Sequence, residues 1–299
     1  MAEPADLTAG DASFAEALAL TQEDPSRWYS TNSFGLPTAL LASAAFNAHP
    51  CRLRIHGTRE THGGLFRLLE SCTTQQQAAD VFSHYMTLQF SLDHPSTDGR
   101  ERPSRPAVCY LDLLRGWAVD SNGMPAAVLK GWVESRFGLI PAFHKERLGR
   151  FPSPAWIAYI EEKNHQRFHD HCINLQLDLL YEFCQWSLRR FRWPTARLVR
   201  LWRGSNDCAA QLVAGSLSDE RCILRLNNLV SFSDARARAE EFGDWVIEAD
   251  VPAVKLLFFP ELLNGRILTS EREYLVVGGC YPVRLLRNGE RFLPVQAPR

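Results

Sequence analysis

The spacing of apolar residues changes character at Trp193-Pro194, and that change leaves few architectures open to the chain. Before it, apolar residues recur at helical intervals. Ala78, Phe82, Tyr85 and Gln89, with Val81, Met86 and Phe90 beside them, mark one broad helical face. Pro125 opens a second helix, Val128, Trp132, Val133 and Phe137 lie inside it, and Gly138 closes it. Between Cys172 and Phe191, positions 173, 177, 180, 184, 188 and 191 are apolar, and so are 172, 175, 179, 183 and 186. A helix apolar over so wide an arc is predicted to be largely buried. After Trp193-Pro194 the runs are short and strand-like: ARLVRLWRG ending at Gly204, RCILRLNNLVSFS, WVIEADVP, VKLLFF, EYLVVGG and YPVRLLR. One short helix is expected among them in SDARARAEEFG, with Ser233 as N-cap and Gly243 just past its end. Helices first and a sheet-rich final third predict an α+β fold rather than a doubly wound sheet.

Two stretches stand outside this pattern. The first 25 residues are small and acidic, with one short helix expected around Phe14–Leu20. The stretch 93–107 carries Pro95, Pro103, Pro106 and Asp98-Gly99, and is expected to be an exposed loop. A chain of 299 residues makes one large domain or two ordinary ones. Lys and Arg number 33 against 34 Asp and Glu, a net charge of −1, so the basic excess of a nucleic-acid binder is missing. No apolar run approaches the roughly 20 residues a bilayer span needs. The N-terminus has no basic segment of the signal-peptide kind. None of the eight cysteines forms Cys-x-x-Cys; they read as reduced, mostly buried residues of a cytoplasmic protein.

The common nucleotide-binding and nucleophile-elbow motifs are absent from the sequence. His169-Asp170-His171-Cys172, joined by His56 or His144, is the most metal-like cluster, though capping or surface packing is the commoner use of such residues. Three C-terminal features carry more chemistry together than apart. Arg203 ends a strand and precedes Gly204: a guanidinium can fork onto a phosphate, and a glycine lets a ligand approach the backbone. Ser231-Phe232-Ser233 closes a strand, both hydroxyls on one side and the ring on the other. Glu271 and Glu273, on an extended strand, would project side by side with Arg272 opposite.

Arginine on a strand, a serine motif before a helix, then Glu-x-Glu: this order resembles the Arg-Ser-Glu class of mono-ADP-ribosyltransferases. VSFSDARARAEEFG followed by VIEADVP is similar to that class's serine motif, helix and next core strand, and PELLNGRILTS stands where its target-recognition loop stands. STNSFGLPTALLASAAFN (30–47), IHGTRE (55–60), LKGWVESRFGLIPAFHKE (129–146), RFPSPAW (150–156) and INLQLDLLYEFCQW (173–186) narrow the resemblance to the branch that modifies dinitrogenase reductase, over roughly residues 28–285.

The resemblance implies a helical N-terminal region followed by an ADP-ribosyltransferase-type β-rich core. Residues 1–25 would be a tail, 26–195 a mainly helical partner-recognition region and 196–299 the NAD-binding catalytic core. It implies transfer of ADP-ribose from NAD, without a metal, to an arginine of dinitrogenase reductase, under a PII-type activator. Glu273 would be the catalytic carboxylate at the ribose, and Glu271 would orient and deprotonate the incoming guanidinium. Arg203 would bind a phosphate of NAD or lock the cleft. Ser231 and Ser233 would shape the nicotinamide pocket, and Gly204 would hold the nicotinamide amide through its backbone. Trp202 is bulkier than expected there and should turn away from the cleft if Arg203 turns in. Three other readings remain: an NAD glycohydrolase using water, a non-catalytic binder of nitrogenase or PII, and a metal hydrolase resting on residues 169–172.

Overall fold

The computed structural model describes residues 32–92, 109–169, 172–219, 221–265 and 272–287. The expected tail, the loop at 93–107, Asp170-His171, Glu271 and the end of the PELLNGRILTS segment lie wholly or largely outside these residues.

The helices are α1 (Thr38–Ala42), α2 (Ala44–Ala48), α3 (Thr58–Thr61), α4 (Gly63–Glu70), α5 (Gln75–Phe90), α6 (Tyr110–Val119), α7 (Met124–Phe137), α8 (Pro154–Lys163), α9 (Gln166–His169), α10 (Ile173–Ser187), α11 (Cys208–Gln211) and α12 (Arg236–Ala239). The strands are β1 (Phe143–His144), β2 (Glu146–Arg147), β3 (Leu198–Ser205), β4 (Leu212–Ala214), β5 (Arg221–Ser233), β6 (Trp245–Pro252), β7 (Leu256–Phe258) and β8 (Glu273–Arg287). The expected α+β order is the order observed.

Local chemistry sets the main helix ends. Thr74 and Gln77 form a reciprocal capping box at the start of α5. Pro125 sits in the first turn of α7, and Gly138 ends that helix at φ 75°, in the left-handed region. The α10 helix is buried nearly all round, as its wide apolar arc predicts. Three of its buried polar residues, Asp178, Glu182 and Gln185, tie other elements to it. Asp178 accepts from Trp132 Nε1 at 2.8 Å and from Arg136 Nε and Nη2 at 2.7 and 2.9 Å. Glu182 accepts from the Ile55 amide at 2.8 Å and pairs with Arg59. Gln185 donates to the Ala253 and Leu256 carbonyls. These bonds staple α3, α7 and the β7 region onto one helix. After Ser187 the helix widens into a π-turn, Leu188–Arg192, which the sequence reading did not foresee.

Among the described residues a six-stranded antiparallel sheet runs in the order β4-β5-β3-β6-β8-β7, and β5 also pairs with β8. EYLVVGG and YPVRLLR, expected as two strands, are one: β8 continues through Gly278 and Gly279. A Cβ at Gly278 would lie 1.7 Å from the Asn227 carbonyl oxygen, so the close crossing with β5 excludes a side chain there. β8 pairs with β5 over most of its length and with β6 only over its C-terminal end, Val283 to Arg287. β3, β5, β6 and β8 therefore pair in a closed ring. One apolar core runs from Leu41 to Leu285, so the helices and the sheet share their interior.

Candidate functional site

Strand register brings Arg203, the serine motif and Glu273 together. β3 meets β5 at the pair Trp202–Ser233, which sets Arg203 beside the serine motif. In β5 and β8, Ser233 stands opposite Glu273, and Ser231 opposite Leu275. Arg203 Nη1 donates to the Ser231 carbonyl at 2.8 Å. The Ser231 hydroxyl donates to Glu273 Oε1. Glu273 is 7% exposed, and Phe232 packs in the core at 2%. The Nε of Arg203 is buried with no hydrogen-bond partner among the described residues. Burial pushes this guanidinium's pKa down from its ordinary value, and the nearby Glu273 carboxylate opposes the shift.

Two cavities meet at this cluster. One, of about 1570 Å³, spreads over β5, α7 and the segment 140–151. The other, of about 510 Å³, contains Glu273, Ser233, Phe232 and Trp202. Trp117, Ser121, Arg203, Gly204, Ser231 and Phe242 border both. The combined space exceeds what a dinucleotide needs.

Several expectations need correction. Ser233 is not a helix N-cap: β5 runs through it, and Ala235 is the N-cap of α12. The Ser233 hydroxyl accepts from the Ala235 amide at 3.2 Å, turning the chain locally. Gly243 is no left-handed C′ residue, since its φ is 169°. It is glycine because a Cβ would fall 2.6 Å from the Ser205 backbone. At Gly204 the close approach is made by the chain itself, since a Cβ would meet the Ala239 carbonyl oxygen at 2.2 Å and Phe242 Cβ at 2.9 Å. Trp202 and Arg203 do leave opposite faces of β3. Trp202 packs with Ala239, Val246 and Leu286, while Leu201 and Ile247, on Arg203's face, belong to the main core. Even so, Trp202 also borders the smaller cavity, so it does not turn fully away.

The extended conformation expected through Glu271-Arg272-Glu273 does not hold at Arg272, whose φ is 51°. β8 begins at Glu273, and Glu271 lies outside the described residues. Arg272 turns onto Asp234, at 2.6 and 2.8 Å, and Tyr274 donates to Asp234 at 3.0 Å. Burial pushes the Asp234 carboxyl up, but the bonds from Arg272 and Tyr274 outweigh it and hold the pKa below its ordinary value. Arg192, delivered by the π-turn, donates to the Tyr274 hydroxyl at 2.6 Å. This cluster fixes the chain where Glu273 emerges. It was not singled out from the sequence, because its members lie about 40 to 80 residues apart.

Sequence reasoning also missed Trp117. Its Nε1 donates to both Ser231 Oγ and Glu273 Oε1, each at 2.9 Å, across 114 and 156 residues of chain. In YLDLLRGWAV it reads as one more core residue, and nothing local marks it.

Among the described residues no group of three or more His, Cys, Asp or Glu gathers as a metal site. His144, considered for one, is engaged with Lys130 and Glu162, and Cys172 is exposed. All eight cysteines are free, five of them buried. No helix among the described residues is long and apolar enough to cross a membrane.

No solved structure matches the chain. The NAD(+)–dinitrogen-reductase ADP-D-ribosyltransferase of Rhodospirillum rubrum is 45% identical over 267 residues, which cover 88% of this chain and 97% of that protein. The dinitrogenase reductase ADP-ribosyltransferase (DRAT) family model matches residues 31–285. This chain belongs to that family.

Proposed function

We infer that this protein transfers ADP-ribose from NAD to an arginine of dinitrogenase reductase and so switches off nitrogen fixation. One observation carries the reading at the site: Arg203, Ser231 and Glu273, from three strands, converge through direct hydrogen bonds at the junction of two cavities. NAD supplies a ribose–nicotinamide bond whose cleavage builds positive charge on the sugar. Glu273 is the anion that meets this charge and holds the ribose. Its low exposure favours a fixed, partly desolvated carboxylate, which acts more strongly than one in water. Ser231 orients it. Arg203 acts as the lock of the cleft: one guanidinium nitrogen ties β3 to the serine motif, and the orphaned Nε fits a polar ligand. Ser233 and Gly204 border the smaller cavity, and in this reading that cavity takes the nicotinamide. Glu271, two residues before Glu273, orients and deprotonates the acceptor guanidinium, which is otherwise always charged.

Residues 26–195 form the surface that recognises the acceptor protein and a PII-type activator, while 196–299 bind NAD. The protein works in the cytoplasm, where both partners reside. The test is transfer of label from adenylate-labelled NAD to purified dinitrogenase reductase, with PII and ADP present. Glu273→Gln is expected to abolish all NAD cleavage, and Glu271→Gln to lose transfer while keeping some hydrolysis. Labelling at the wild-type rate by both variants would refute this assignment. Hydrolysis without transfer in the wild type would make the protein a glycohydrolase, and no cleavage at all a binding regulator.

A further inference from the structure

Glu273 is held from two sides, and only one of them belongs to the β-rich core. Ser231 reaches it from the neighbouring strand. Trp117 reaches it from α6, in the helical region, and its single N–H is shared between Ser231 Oγ and Glu273 Oε1 at 2.9 Å each. Indole N–H, serine hydroxyl and carboxylate oxygen form a closed triangle. Both donors converge on Oε1, so the carboxylate cannot swing without breaking two bonds. Trp117 is 3% exposed, which leaves its ring little freedom.

The ring itself is braced from behind. Lys130 Nζ, on α7, lies 5.9 Å from its centroid, within range of a cation–π attraction. Lys130 is itself fully engaged. It donates to Asn122 Oδ1 at 3.1 Å and the Phe143 carbonyl at 3.2 Å, and it lies 3.3 Å from His144 Nδ1. With Nδ1 accepting, His144 keeps its proton on Nε2 and donates to Glu162 at 2.8 Å. All three ammonium protons are used inside the protein, so this lysine, although it borders the larger cavity, is not spare to bind a phosphate. Its place is to hold the indole. A chain of contacts thus runs from Glu162 through His144, Lys130 and Trp117 to Glu273.

We propose that Trp117 is a positioning residue for the transfer reaction, its indole N–H fixing the Glu273 carboxylate together with Ser231 so that the anion faces the ribose. This rests on the reading of Glu273 as the catalytic carboxylate. It gives the helical region a part in bond cleavage, in addition to partner recognition. Because the donor acts on the carboxylate and not on NAD, its loss should lower kcat and leave the KM for NAD nearly unchanged. Because Trp117 and Ser231 share one oxygen, their losses should not add.

The experiment measures nicotinamide release by the full-length protein under activating conditions, for wild type, Trp117→Phe, Ser231→Ala, the double variant and Glu273→Gln. Trp117→Phe keeps a ring in the hole and removes the N–H. A second replacement, 3-benzothienylalanine at 117, keeps the indole shape with sulfur in place of N–H and covers the case in which phenylalanine disturbs folding. Both are expected to lower kcat about tenfold, with KM changed less than threefold. The double variant is expected to fall well short of the product of the two single losses. A kcat within twofold of wild type, or above it, with the isostere in place would overturn the proposal, as would a loss appearing only in KM. If Glu273→Gln is inactive while the isostere is not impaired, only the role of Trp117 falls. If Glu273→Gln retains full activity, the site reading falls and the positioning role with it.

Discussion

Gly204 offers a sharp test, because the sequence and the structure give it different tasks. A glycine after the cleft arginine reads as a place where ligand meets backbone. In the structure the space a Cβ would fill is occupied by the Ala239 carbonyl oxygen, 2.2 Å away, and by Phe242 Cβ and C at 2.9 and 3.0 Å. Two of these three atoms are backbone, so no rotamer change relieves the overlap. Ordinary contact begins near 3.4 Å, so in Gly204→Ala the end of α12 must retreat by 3.4 − 2.2 = 1.2 Å. Overpacking of this kind costs about 3 kcal/mol, toward the upper end of the usual range. With an m-value of about 3 kcal/mol/M, the urea midpoint should fall by about 1 M. The retreat would also carry Arg238 and Phe242 away from the smaller cavity, so the KM for NAD should rise as well. Urea denaturation followed by tryptophan fluorescence, together with nicotinamide-release kinetics, measures both. An unchanged midpoint with a raised KM would refute the packing argument and return Gly204 to ligand approach alone.

Two further outcomes follow from buried charges. Asp178→Ala leaves Arg136 and the Trp132 N–H without their shared acceptor, so unfolding should become easier by about 3–5 kcal/mol, read from the urea midpoint. Lys255 is fully buried, donates to the Gly278 carbonyl and lies near the Phe46 and Tyr281 rings. Burial lowers its pKa from 10.5 to about 7, against a small opposing effect of Cys280. The unfolded chain then binds the extra proton between pH 7 and 10.5, so this residue makes stability rise with pH across that window. Lys255→Met should flatten the rise relative to wild type in melting curves taken at pH 7, 8, 9 and 10. An equally steep rise in the variant would show that Lys255 is charged in the folded state throughout.

The order of elements was legible in the sequence because it depends on local periodicity. The helical spacing around Phe82, the Pro125 and Gly138 boundaries and the alternation in RCILRLNNLVSFS each act within a few residues. The order Arg203, Ser231, Glu273 was legible for the same reason: each motif is short and keeps its place along the chain. What lies between elements was not. The joining of two expected strands into β8 goes with its pairing to β5 on both sides of the glycines, and no window around Gly278 contains that strand. Gly204 reads as a ligand-approach glycine and Gly243 as a helix-ending one until the tertiary structure shows what presses on them. Trp117 was invisible because its partners are 114 and 156 residues away, and an indole in an apolar helix looks the same whether or not its N–H is used. By itself the sequence determined the order of helices and strands and singled out Arg203, Ser231 and Glu273, since those follow from side-chain type and near-neighbour spacing. The tertiary structure alone decided that a helix before residue 120 reaches the Glu273 carboxylate, because only strand register and helix packing bring such distant donors to one oxygen atom.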